Sequence, residues 1–229
     1  MKYKTKLTRI VALVAMISVS TLNAQDTIAI GGQTWMATNL NVGTMILGEN
    51  SMANNGILEK YCFDDLETNC DVYGGLYQWD EMMQYVSIEG IQGICPTGFH
   101  LPSDEEWKIL EEHLGMSSVD ADDVGSRGTD QGSQMAGIDS LWTDGFLDED
   151  PSFGSSGFGA LPGGDRRTVE SFGNLSYSSI FWTTSEFEGG AWLRNIYYDD
   201  TEVGRYVTPE VLRYEGSKGS GFSVRCIKD

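Results

Sequence analysis

Cys95-Pro96-Thr97-Gly98-Phe99-His100-Leu101-Pro102-Ser103-Asp104-Glu105-Glu106-Trp107 packs a turn, an aromatic residue and a helix start into one short run. Ser103 followed three residues later by Glu106 is a capping box. The serine oxygen accepts from the Glu106 N–H and the Glu106 carboxylate accepts from the Ser103 N–H. Asp104, Glu105 and Glu106 also place negative charge where the helix dipole favours it. Trp107, Leu110 and Leu114 then fall on one apolar stripe, and Gly115 offers a left-handed stop. The spacing predicts a helix of about eleven residues with Trp107 in the core. His100, just before the helix, is expected to make structural hydrogen bonds rather than to act as a general base.

Cys95 opens this stretch, and a partner stands near the chain end. Residues 221–227 alternate as a strand, with Phe222, Val224 and Cys226 on one face. Four cysteines in an exported chain form two disulfides, with three connectivities available. The expected pairs are Cys62 with Cys70, closing a local acidic loop, and Cys95 with Cys226, tying the helix region to the last strand. The chain-entropy model values them at roughly 2.5 and 5 kcal/mol. Zinc is disfavoured because no CxxC pair occurs and His100 and His113 are the only histidines.

Export is read from the first residues. Lys2, Lys4, Lys6 and Arg9 form a basic head, residues 10–19 are mostly apolar, and Leu22-Asn23-Ala24 ends in a small residue. The apolar run is too short to span a bilayer, so residues 1–24 are expected to be a secretory signal peptide and 25–229 one domain. No later stretch suits a transmembrane helix. Losing the signal removes four of 15 basic residues and none of the 34 acidic ones, so 11 − 34 leaves a net charge of −23. That charge excludes nucleic acid and anionic membranes as natural partners. With 28 glycines and 11% aromatic residues, the chain is expected to be loop-rich and α+β.

Taken in order, 27–30, Gly31-Gly32 and 33–37 read as a hairpin with Trp35 inward. Residues 61–63 read as a short strand entering the disulfide loop. Leu76, Trp79 and Met83 at helical spacing predict another helix of about ten residues. Residues 117–132, rich in Asp, Ser and Gly, read as a surface loop. Two strands, 180–185 and 191–196, flank an acidic turn, and Trp182 and Trp192 within them are expected to pack inward.

These landmarks resemble the Fibrobacter succinogenes major paralogous domain family of exported bacterial proteins. The resemblance rests on Gln33-Thr34-Trp35-Met36-Ala37 with Asn39-Leu40-Asn41, on Tyr73-Gly74-Gly75-Leu76-Tyr77-Gln78-Trp79, and on the opening stretch 95–107. It continues through Gly157-Phe158-Gly159-Ala160-Leu161-Pro162-Gly163-Gly164 and Gly221-Phe222-Ser223-Val224-Arg225-Cys226, covering nearly all of 25–229. The resemblance implies a C-type-lectin-like fold, with small antiparallel sheets, two flanking helices and long Gly-rich loops. Formylglycine-generating enzymes share that scaffold. It also implies surface attachment or polysaccharide binding.

Asp65, Glu67, Asn69 and Asp71 alternate oxygen donors in and beside the Cys62–Cys70 loop, a candidate calcium site. The spacing is not that of an EF-hand. Asp120, Asp122, Asp123 and Asp130 form a second acidic group. The Glu-Pro-Asn and Trp-Asn-Asp motifs of calcium-dependent lectins are absent. Tyr197, Tyr198, Asp199, Asp200, Arg205 and Tyr206 combine aromatic faces with polar groups, as carbohydrate sites do, and are expected to form an exposed ligand surface. No nucleophile elbow, P-loop or dinucleotide fingerprint occurs. The leading expectation is therefore an exported, non-enzymatic binding domain for polysaccharide or another cell-surface component. A structural envelope component and an enzyme on the formylglycine-generating scaffold are the alternatives.

Overall fold

In the computed structural model, which describes residues 26–167, 171–208 and 217–229, Ser103 caps the helix Asp104–His113. The Glu106 N–H donates to Ser103 Oγ at 3.3 Å and the Ser103 N–H donates to Glu106 Oε2 at 2.8 Å. The helix ends at Leu114 ahead of Gly115, whose φ of +101° is one that glycine adopts without strain. Trp107 and Leu110 are fully buried. The signal-peptide expectation for 1–24 lies outside the described residues.

Among the described residues two larger sheets and two two-stranded ladders form. One larger sheet orders Thr27–Ile30, Gln33–Met36, Ile227–Lys228 and Phe99–His100. The other orders Leu76–Tyr77, Phe222–Ser223, Ser178–Phe187, Gly190–Tyr197, Val203–Val207 and Gly125–Arg127. The architecture is α+β. The expected hairpin at Gly31-Gly32 is present, as are the two long strands, which run longer than 180–185 and 191–196.

Alternation along these strands feeds two cores. Met36, Trp182 and Leu193 join Tyr77, Trp79, Met82, Met83, Phe222 and Val224 in the first. Their neighbours Trp35 and Phe181 join Trp107, Leu110, Trp142, Leu147, Phe158 and Ile196 in the second. The second is built on ring contacts, with centroids 5.0 Å apart for Trp35–Trp107, 5.5 Å for Trp107–Phe158 and 5.8 Å for Phe158–Phe181. Both expected disulfides form, Cys62–Cys70 with Cα atoms 5.1 Å apart and Cys95–Cys226 with 6.0 Å.

Four local expectations are corrected. Leu76, Trp79 and Met83 do not share a helix: Leu76 pairs with Ser223 in a sheet and packs beside Tyr61, and only Trp79–Met82 is helical. Apolar spacing misled there because strand and turn bury side chains in different cores. Residues 61–63 give only a bridge from Tyr61 to Leu76, followed by a 3-10 turn at Phe63–Asp65. Residues 117–132 contain the helix Ser118–Asp122 and the edge strand Gly125–Arg127. The last strand is broken at Val224–Cys226, and both of its faces are buried, Arg225 included. That guanidinium bonds to Asn39 Oδ1 and to the Phe158 and Gly159 carbonyls, and burial lowers its pKa to about 9.

Candidate functional site

Tyr197 ends the strand Gly190–Tyr197, so the chain leaves the sheet at the point where its side chains stop being covered. Tyr198 turns back under it, half-buried against Leu147 and the second core. Its N–H donates to the Tyr177 carbonyl at 2.9 Å and its own carbonyl accepts from the Leu147 N–H at 3.0 Å. Gly145 lies so close that a Cβ would come within 2.4 Å of the Tyr198 oxygen. The short helix Phe146–Glu149 is thereby seated on the tyrosine loop.

The result is a stack of three rings. Tyr198 stands edge-on to Tyr177 with centroids 5.0 Å apart, and to Tyr197 at 4.9 Å. Tyr177 and Tyr197 are 42% and 40% exposed and present free ring surface on either side of Tyr198. Beside them an open trough of about 460 Å³ is lined by Phe146, Glu149, Asp150, Pro151, Asp199, Asp200 and Thr201. Phe146 is 63% exposed. Burial, and then the charges of Tyr198 and Asp199, raise the Tyr197 pKa. Burial and then Asp200 raise the Glu202 pKa. The Asp200 carboxylate accepts from the Glu202 N–H at 3.0 Å, which shapes the loop. Flat apolar faces next to carboxylates and a phenol suit a hydroxyl-rich, uncharged ligand.

Four of the six expected ligand residues come together here: Tyr197, Tyr198, Asp199 and Asp200. Arg205 and Tyr206 do not, and the expectation that Arg205 is exposed is corrected. Arg205 is 6% exposed. It donates to both Asp104 oxygens, at 2.9 and 2.7 Å, and to the Asp122 carbonyl at 2.7 Å, with its guanidinium 3.7 Å above the Trp192 ring. The cause is tertiary: the helix Asp104–His113 covers that face of the sheet and brings its own carboxylates. Arg194 donates to Asp104 at 2.7 Å and to Glu111 at 2.7 Å, and Arg127 also bonds Glu111. Burial would raise the Asp104 pKa, but hydrogen bonds and charge from Arg205 and Arg194 lower it to about 2. Burial lowers the Arg127 pKa to about 10. Tyr206, on the other face, is half-buried against the first core.

Three of the four calcium candidates, Glu67, Asn69 and Asp71, sit on a helix rather than an extended loop, and Asp65 ends the 3-10 turn before it. Glu67–Tyr73 is helical, and on a helix residues two apart face different ways. Asp65 Oδ1 accepts from the Gly48 N–H at 2.7 Å, Glu67 pairs with Lys60, and Asn69 donates to the Phe63 carbonyl. The second acidic group also diverges: Asp120 accepts from Ser117, Asp122 from Lys108 and Asp130 from Gln134. Among the described residues no set of three or more His, Cys, Asp and Glu side chains is placed to hold a metal ion. His100 makes hydrogen bonds as expected, with Nε2 2.7 Å from Glu106 and Nδ1 2.8 Å from Asp229. All four cysteines are in the two disulfides.

A family model described as the Fibrobacter succinogenes major domain matches residues 28–228. The chain belongs to that family. No curated protein and no solved structure matches it. Among the described residues of this family member, no helix is long and apolar enough to cross a membrane. Tyr177 and Phe146 were not singled out by the sequence as contact residues. The signal for Tyr177 was its place one residue ahead of the strand Ser178–Phe187, where a side chain falls outside the sheet.

Proposed function

We propose that this chain is an exported, non-enzymatic binding domain on a C-type-lectin-like scaffold. It holds uncharged polysaccharide, or a cell-surface component carrying one, on the Tyr177–Tyr198–Tyr197 stack and the adjoining trough. The observation that carries the reading is the pair of exposed tyrosine faces flanking a fixed third ring, beside the carboxylates of Glu149, Asp150, Asp199 and Asp200. Sugar C–H faces pack on such rings, while the carboxylates accept from hydroxyls. The surplus of acidic residues disfavours polyanionic glycans at the same surface. Calcium enters this reading only as a variable, through Asp65, Glu67, Asn69 and Asp71.

The test is a binding screen of the 25–229 chain on arrayed glycans and insoluble polysaccharides, run with calcium and with chelator. A saturable hit that survives chelator, is lost in Tyr197→Ala and is kept in Tyr85→Ala, an exposed tyrosine elsewhere, supports the reading. Absence of any hit transfers the weight to a structural envelope role.

A further inference from the structure

Lys60, Asn41 and Glu67 meet beside the Cys62–Cys70 disulfide, away from the tyrosine stack. Lys60 Nζ donates to Asn41 Oδ1 at 2.6 Å and to Glu67 Oε1 at 2.7 Å. The Lys60 side chain is 6% exposed, so its stem is fixed by packing, whereas Glu67 and Asn41 reach solvent. Backbone contacts hold each partner. Asn41 Nδ2 donates to the Cys70 carbonyl at 3.0 Å, and the neighbouring Val42 exchanges two hydrogen bonds with the Tyr77 hydroxyl. Lys60 pairs with Met45 in a short parallel ladder. Glu67 opens the helix that the disulfide closes back onto Cys62.

An ion pair needs only the amine and the carboxylate. Here the amine also lies on an amide oxygen, and adding the carbonyl bond of ~1.2 Å leaves the amide carbon at most about 3.8 Å away. That is close to the ~3–3.5 Å of a near-attack geometry, in which held groups react as if at very high concentration. The three groups are those that lysine–asparagine amide formation requires: a nucleophile, an electrophilic carbonyl and a carboxyl to move protons.

We infer that Lys60 and Asn41 become joined by an isopeptide bond, with Glu67 as the proton-transfer group. Glu67 takes one proton from the Lys60 ammonium, and the neutral amine adds to Asn41 Cγ. A second proton passes from Nζ to Nδ2 through the Glu67 carboxyl, the Cγ–Nδ2 bond breaks, and the new Cγ–Nζ amide keeps the third. The departing nitrogen leaves as ammonium, carrying the proton Glu67 first accepted. Nothing is oxidised or reduced. The exposed side of Asn41 is the exit. The product ties the segment after Leu40 to the strand Glu59–Lys60, next to the disulfide.

Intact mass and tryptic mapping of the purified, non-reduced chain test this. The expected mass is one ammonia below that of the disulfide-bonded sequence. Trypsin is expected to miss Lys60, and cleavage of that product after Glu49, Glu59 and Glu67 is expected to release a branched peptide joining residues 25–49 to residues 60–67. Lys60→Arg and Asn41→Ala each restore the unjoined mass, and Glu67→Gln slows joining. An N-terminal Gln25 and the Asn55-Gly56 pair also lose ammonia, by cyclisation, so the branched peptide decides. A wild-type map with an unbranched peptide ending at Lys60 overturns the inference. Joining at the wild-type rate in Glu67→Gln overturns the role of Glu67.

Discussion

Replacing Asp104 with asparagine removes one negative charge from the centre of a buried ion network while keeping shape. In the folded chain that carboxylate takes Arg194 Nη1 at 2.7 Å and Arg205 Nε and Nη2 at 2.9 and 2.7 Å. Arg194 is fully buried and Arg205 nearly so, which leaves Glu111 as the other buried counter-charge. Two routes give the magnitude. Lowering the Asp104 pKa from 3.8 to about 2 corresponds to roughly 2 kcal/mol of preferential stabilisation of the folded carboxylate. Breaking a buried pair by removing one partner costs about 3–5 kcal/mol, and asparagine retains one acceptor, so the lower end applies. Asp104→Asn is thus expected to lose about 2–3 kcal/mol at pH 7. The sign with pH follows from the lowered pKa. The carboxylate's contribution is fully present above the unfolded value near 3.8 and is lost as pH falls towards about 2. Urea unfolding of both proteins at pH 7, 5, 3 and 2 should show a gap that is constant to about pH 5 and then closes. A gap below about 0.5 kcal/mol at pH 7, or one that does not shrink in acid, would refute the network as a stabilising unit.

Replacing Cys95 and Cys226 together by alanine should remove about 4–5 kcal/mol, and the Cys62 and Cys70 pair about 2.5, measured as denaturant midpoints of the two double variants. Trp107→Ala should cost about 3–5 kcal/mol through lost ring packing against Trp35, Phe158 and Phe181, with Trp107→Phe costing less. Burial lowers the His100 pKa, but hydrogen bonds to Glu106 and Asp229 outweigh it and the net shift is upward. Its contribution is therefore fully present below about pH 6.5 and is lost as pH rises through its folded value. His100→Gln should flatten the dependence of the unfolding midpoint on pH over that window.

Local chemistry was legible in the sequence. Ser103 and Glu106 specify the helix start by themselves, Gly31-Gly32 specifies the hairpin, and the alternation of Phe222, Val224 and Cys226 points the last cysteine towards Cys95. Features decided by distant partners were not. Arg205 reads as a surface residue until Asp104, a hundred residues earlier, is laid across its sheet face. The helix Glu67–Tyr73 begins at Leu66 without a side-chain cap, so its acidic residues looked like an extended ligand loop. Leu76, Trp79 and Met83 matched a helical period by serving different cores. Half of the candidate site was legible because Tyr197 and Tyr198 are adjacent in the chain. Phe146 and Tyr177 are brought to them by tertiary contacts, the backbone bonds that Leu147 and Tyr177 make with Tyr198 and the Tyr177–Tyr198 ring contact.

The central claim is that the paired faces of Tyr177 and Tyr197 hold glycan, and calorimetric titration tests it most directly. The wild-type chain and a Tyr177→Ala/Tyr197→Ala variant with an unchanged unfolding midpoint would be titrated with the polysaccharide that binds best. The account predicts at least a tenfold weakening in the variant, about 1.4 kcal/mol, with no effect of chelator on the wild type. Equal affinity in the two proteins would contradict it.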